Sequence, residues 1–304
     1  MYTTITAVEL EQLKAGGSVF VIDVLLPEDY ACRHISGAEN ACVYEMVFLD
    51  RIAECVPDRE QTIVVYDQSG TSMTAGTAKE KLERAGYRSV AILEGGLLAW
   101  QTAGFAVESS VPVQLPAVLR DGVYRIDTHK SVVEWTGRNI NNRHFGRIAL
   151  SEGKVVIANG RLFSGSFVLD MTTISNSDIQ DEGWRSMLLR HLKSDDFFDV
   201  DTFPTATFAL SGGTPIADAT PGTANMEIAG SLTIKGTTRA IRFPAMVAAQ
   251  EDGTVKAQAA LDFDRTLFNV CYGSGKLYER LGMHLVNDLI SVELFIVTGT
   301  VACE

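Results

Sequence analysis

Basic residues are in short supply: 26 lysines and arginines stand against 38 aspartates and glutamates, giving a formal charge of −12 over 304 residues. Nucleic acid and anionic membrane surfaces both need a basic footprint, so this balance argues against either as a partner. The five cysteines, Cys32, Cys42, Cys55, Cys271 and Cys303, form no paired spacing. An odd, scattered set does not make a disulfide framework, and reduced thiols are expected. No stretch approaches the roughly 18 apolar residues of a spanning helix, and the amino-terminal MYTTITAVELEQLKAGG has no basic region leading into an apolar core. The expectation is a cytoplasmic protein with no stable membrane insertion. Metal-ligand spacing is missing too. His129, His144, His191 and His284 include no i, i+2 or i, i+4 pair, and the acidic run Asp195, Asp196, Asp199, Asp201 lacks the glycine and terminal glutamate of a calcium loop. No metal site and no cofactor is expected.

What is present is enough apolar residue, 46%, for two domains with separate cores. Up to residue 108, short apolar runs alternate with amphipathic stretches. Thr6-Ala7-Val8-Glu9 is a capping box opening a helix, Val19–Asp23 reads as a buried strand, and Pro27 opens a second helix. Two further strand-then-helix units run over 63–87 and 89–103, which predicts a parallel sheet with flanking helices. The segment 109–122, SSVPVQLPAVLRDG, has little periodicity and holds two prolines and a glycine, and is read as a linker. From 123 to 304 strands dominate. Phe163, Phe167 and Leu169 are expected on one face of a strand, Ile228, Leu232 and Ile234 on one face of another, and Ala257, Ala259, Leu261 and Phe263 on a third. With a single helix expected over about 182–192, the pattern predicts an all-β antiparallel barrel. Such a barrel is either filled by its side chains or hollow enough for one small ligand.

Three motifs, VFVIDVLLPEDYACRHISGAENA, VVYDQSGTSMTAGTAKEKLERAGY and ILEGGLLAWQTAGF, come in an order that resembles a rhodanese-like domain over 1–108. In that family the loop after the central strand carries a cysteine that accepts sulfane sulfur, cradled by backbone N–H groups and a helix terminus. Here the loop is Asp67, Gln68, Ser69, Gly70, Thr71, Ser72. The resemblance sets Asp67 at the nucleophile's position and Ser72 at that of a common arginine. A carboxylate cannot carry a persulfide, and it would repel an anionic sulfur donor. The expectation is a vestigial loop in which Asp67 itself occupies the anion site, and no catalytic residue. Cys32 lies beside Arg33 and His34, an electropositive setting, but packing as a small hydrophobe is the expected role.

The stretches YRIDTHKSVVEWTGRNINNRHFGRIALSEGKVVIANGRLFSGSFVLDMTTI, HLKSDDFFDVDTFPTATFAL, IAGSLTIKGTTRAIRF and LDFDRTLFNV resemble the YceI-like family from 123 to about 298. The resemblance implies a lipocalin-like barrel that binds polyisoprenoids or other long amphiphiles in an elongated apolar interior. Candidate ligand contacts are Trp135, Phe163, Phe167, Leu169, Ile228, Leu232, Ile234, Phe263 and Phe268, with Phe197, Phe198, Phe203 and Phe208 toward one end. His129 and His144 are candidates for head-group contact, with a structural hydrogen bond as the alternative. The segment NVCYGSGKLYERLGMHLVNDLI is long for a connection to a last strand and is read as a lid or an extra turn. The combined expectation is an amphiphile carrier for a polyisoprenoid, isoprenoid quinone or fatty amide. Its non-catalytic rhodanese-like module would dock a protein partner or regulate, and any open sheet edge gives a route to a homodimer. The competing reading is a sulfurtransferase-like or redox-linked enzyme that uses Cys32 or another thiol while the barrel holds a lipid substrate.

Overall fold

The computed structural model describes residues 4–111 and 117–301, and the chain divides into two compact units, Met1–Leu115 and Pro116–Glu304. Residues 112–116 of the expected linker, and Cys303, lie outside the described residues.

The first unit runs Thr4–Ile5 (β1), Ala7–Ala15 (α1), Val19–Asp23 (β2), Pro27–Cys32 (α2), His34–Ile35 (β3), Glu39–Asn40 (β4), Phe48–Cys55 (α3), Thr62–Tyr66 (β5), Thr74–Arg84 (α4), Ser89–Leu93 (β6), Gly96–Thr102 (α5) and Val107–Glu108 (β7). Five strands form a parallel sheet in the order β1-β6-β5-β2-β4. The capping box starts α1 as its sequence requires: the Glu9 amide donates to Thr6 Oγ1 at 3.3 Å and the Thr6 amide to the Glu9 carboxylate at 2.7 Å. Helices cover both faces, so β5 is apolar throughout, with Ile63, Val64, Val65 and Tyr66 fully buried. The chain stays paired with this unit past residue 108: β7 runs antiparallel to β3, and the Ser110 amide donates to Ala31 O at 2.8 Å.

The second unit holds Gly122–Ile126 (β8), Val132–Arg138 (β9), Arg143–Arg147 (β10), Ala149–Ala158 (β11), Arg161–Asp170 (β12), Glu182–Lys193 (α6), Thr205–Pro215 (β13), Met226–Ile234 (β14), Thr237–Ala249 (β15), Val255–Asp264 (β16) and Leu289–Val301 (β17). Strands β11 to β17 pair antiparallel in chain order apart from the α6 excursion, and β8 joins both β11 and β17 to close an eight-stranded barrel. The thirteen-residue β17 is shared: Ser291–Phe295 pairs with β9, and Thr298 and Val301 pair with β8. Helix α6 starts where Asp181 accepts the Trp184 amide at 2.9 Å.

One expectation about β12 fails. Phe163 is 64% exposed, whereas Leu162 is buried. On the ladder with β11, Ile157 faces Leu162 and Val156 faces Ser164, so Phe163 is an extra residue without a partner. This bulge moves the alternation by one position: Phe167 and Leu169 keep the inward face, and Phe163 is turned out.

Candidate functional site

Each unit has its own candidate. In the first, β5 runs directly into the loop and α4 leaves it. Asp67 is 2% exposed, and its carboxylate is occupied by the loop that surrounds it. Oδ1 accepts the amides of Ser69 at 3.2 Å and Gly70 at 2.6 Å, and Oδ2 accepts the Ser72 hydroxyl at 2.6 Å. The turn before α5 presses on the other side: the Leu97 amide donates to Asp67 O and the Leu98 amide to Gln68 O. Gly96, at φ 57°, lies so close to Asp67 that a Cβ there would press into its carbonyl, and a Cβ on Gly70 would lie 2.6 Å from the Gly95 nitrogen. The loop's donors are therefore taken up by a side chain of the chain itself. Beside the loop, large apolar side chains face outward: Met73 is 84% exposed and Tyr44 67%, with the Tyr44 hydroxyl bonded to that of Thr74, and Met46, two residues on from Tyr44, is fully exposed. His34, beside Cys32, is buried in a structural role. Its Nδ1 donates to Tyr30 O at 2.7 Å, its Nε2 lies 3.4 Å from Glu108, and its ring stacks on Tyr30.

Below the loop, Asp23 ends β2 with no solvent exposure. Desolvation pushes its carboxyl up to about 6, against the opposing pull of the Leu25 amide and the Tyr66 hydroxyl.

The barrel of the second unit is hollow. A cavity of about 550 Å³ runs through it, within the usual range of about 300–1,000 Å³ for small-molecule sites. Its walls are the inward alternate positions of the strands. Among the expected contacts, Trp135, Phe167, Leu169, Phe208, Ile228, Leu232, Ile234 and Phe263 line it, as do Phe197 and Phe198 beyond α6. Gly230 makes room for an aromatic wall, since a Cβ there would lie 2.5 Å from Phe208 Cε2.

Four expected contacts lie elsewhere. Phe163 is outside because of the bulge, and Phe203 packs over the β14–β15 turn, where a Cβ on Gly236 would meet its ring at 2.9 Å. Phe268 is buried behind the wall, edge-on to Phe263. His129 is exposed on the turn after β8, its amide held by Asp127.

Most of the cavity's polar side chains gather at one end, while Gln258 and Thr298 line it elsewhere. His144 of β10 lines it with Nδ1 2.8 Å from Asp178 Oδ2, and the same carboxylate accepts the Phe145 amide. Although desolvation opposes it, these contacts and Asn176 hold Asp178 below the usual carboxylate range. Met187, Leu188 and His191 of α6, and Tyr272, Met283 and His284 of the segment before β17, complete this end. Sequence periodicity did not single out these six; the unusual length of 269–288 was the available signal for the last three. His191 sits edge-on between Phe197 and Tyr272, with Nε2 3.2 Å from Asp196. Arg265, 1% exposed, pins the segment: Nε donates to Asn287 O, Nη1 to Val270 O and Nη2 to Val286 O, at 3.0, 2.6 and 3.2 Å. Among the described residues no cluster of three or more His, Cys, Asp or Glu side chains suited to a metal is found, and no helix is long and apolar enough to cross a membrane.

The family model described as a YceI-like domain matches residues 124–298, more than half of the chain. The chain belongs to the YceI-like family. A second model, the rhodanese-like domain, matches residues 6–103. The rhodanese-like part is similar to an HTH-type transcriptional regulator of Mycobacterium tuberculosis, 37% identical over 109 residues that cover 36% of this chain and 46% of that protein. It is also similar to the thiosulfate sulfurtransferase PspE of Escherichia coli, 42% identical over 69 residues, 23% of this chain and 62% of that one. The chain spans about half the length of the curated relatives it matches. The YceI-like part is similar to the structure of a polyisoprenoid binding domain from Saccharophagus degradans, 14% identical with a TM-score of 0.45, over 60% of this chain and 99% of that one.

Proposed function

We propose that this YceI-like barrel binds and carries a single long-chain amphiphile of the isoprenoid, isoprenoid-quinone or fatty-amide class, with the rhodanese-like module as a docking or regulatory element. The observation that carries this reading is the apolar cavity of about 550 Å³, whose polar side chains gather mainly at one end. Each buried CH₂ of a guest contributes about 0.8 kcal/mol, so an alkyl or prenyl chain needs no charged anchor to bind tightly. The His144–Asp178 pair at the polar end suits a hydroxyl, carbonyl or amide head. Native-purified protein, extracted with organic solvent and analysed by mass spectrometry, is expected to release one chain-like molecule per barrel. Failure of prenols, quinones and fatty amides to displace a hydrophobic dye, together with an empty extract, would dismiss the carrier.

For the rhodanese-like module, the filled loop and the exposed Tyr44, Met46 and Met73 favour contact with another protein over sulfur transfer. Thiosulfate:cyanide sulfurtransferase activity is expected to be absent from the wild type. Turnover that disappears in Cys32→Ala would replace this reading with an enzymatic one.

A further inference from the structure

The barrel wall has a seam between β12 and β13, where the strands stay side by side, a Cβ on Gly212 lying 3.7 Å from Leu162 O, but are not paired. Their ladder runs from Asp170 and Thr205 to Gly165 and Leu210 and stops there. Beyond that point Leu162 and Ser164 pair only with β11, and 212–215 pair only with β14. Both strands carry a bulge where the pairing ends, Phe163 on one and Ser211 on the other. A groove of about 560 Å³ lies over this seam, lined among others by Arg161, Phe163, Gly212, Gly213 and Arg242. Leu162 lines both this groove and the inner cavity, so its side chain is the partition between them. The partition is thin because position 213 is glycine: a Cβ there would lie 3.1 Å from Leu162 Cδ1 and 2.9 Å from Met226 Cγ.

The rim is cationic in a chain whose net charge is −12. Arg161 and Arg242 are exposed, and neither makes an ion pair or a side-chain hydrogen bond among the described residues. Phe163 stands exposed beside them. Two guanidinium groups without partners, next to an aromatic ring and one side chain away from an apolar cavity, match an oxyanion attached to a hydrocarbon.

Building on the carrier reading above, we propose that the unpaired β12–β13 seam is a lateral portal to the cavity, closed here by Leu162. Arg161 and Arg242 hold the carboxylate or phosphate head of an amphiphile whose chain passes inside. This head-group site lies in the barrel wall and is separate from the His144 end.

Displacement of Nile red from the full chain by hexadecanoic acid, hexadecyl phosphate and hexadecanol tests the assignment. The Arg161→Gln/Arg242→Gln double variant is expected to weaken the two anionic probes about fivefold to tenfold, an effect that salt erases, and to change hexadecanol by less than about twofold. Hexadecanoic acid and hexadecyl phosphate separate the two anion sources by which loses more. Leu162→Ala is expected to speed dye dissociation about tenfold, and Leu162→Phe, which keeps the core filled, to slow it. If hexadecanol binds while the anionic probes ignore the arginines and neither Leu162 variant changes the rate, the portal is refuted and the carrier stands. If none of the three displaces the dye from wild type, the carrier reading falls and the portal falls with it.

Discussion

Asp67 shows how one side chain decides what a loop can do. Its carboxylate holds two amides and a hydroxyl, so Asp67→Ala leaves the Ser69 and Gly70 amides without this partner and the Ser72 hydroxyl with Thr74 alone, and is expected to cost about 1–3 kcal/mol in denaturant unfolding. Asp67→Cys supplies a thiol to the same donors. The single variant is expected to turn over thiosulfate slowly and Asp67→Cys/Ser72→Arg faster, because only the second adds a cation for the donor anion. The acid that follows VVY is plain in the sequence. The burial of Asp23 is not, because an aspartate ending a strand looks the same whether water reaches it or not. Folded, Asp23 keeps its proton to about pH 6; unfolded, only to about pH 4. The folded state thus binds the extra proton between those values, and stability falls as pH rises from about 4 to about 6, then levels. Asp23→Asn is expected to remove that slope and raise stability at pH 7 by up to about 3 kcal/mol, read from melts across the range.

Strand β12 shows what alternation can and cannot reveal. The run Leu162-Phe163 puts two apolar residues side by side, and which one faces inward depends on its register with β11, information that β12 does not carry. Phe163→Ser is expected to change stability by less than about 0.5 kcal/mol. Phe167→Ala, four residues on and inside, is expected to cost about 2 kcal/mol or more and to weaken amphiphile binding. On β14 and β16 no bulge intervenes, and the faces named from sequence are the faces that line the cavity. The segment 269–288 has no periodicity to read. It is held by Arg265 through three backbone carbonyls, a role invisible without the fold. Arg265→Leu leaves those carbonyls unsatisfied and the Asp288 carboxylate with Lys276 alone, and is expected to destabilise the barrel by about 3 kcal/mol or more.

The molecule as a whole carries separate hydrophobic cores in its two units. Calorimetry is expected to show two transitions, and a saturating amphiphile to raise only one of them, by about 2.7 kcal/mol at a hundredfold excess over its dissociation constant. That an α/β half precedes a β half was legible from the change of sequence rhythm, since strand and helix periods differ. The hollow interior was not, because inward-facing residues look alike whether they meet each other or a guest. The closing strand β17 also sets an order in time. Tyr124 pairs with Val301 and Trp135 with Val292, contacts between the two extremes of the unit. Hairpins from β11 to β16 zip between neighbours, but the ring waits for its most distant residues to meet, the slowest kind of search a chain makes. Until they do, β8 and β16 are open edges. For this barrel, acquiring an interior and losing its capacity to stick to other chains are one late event in folding.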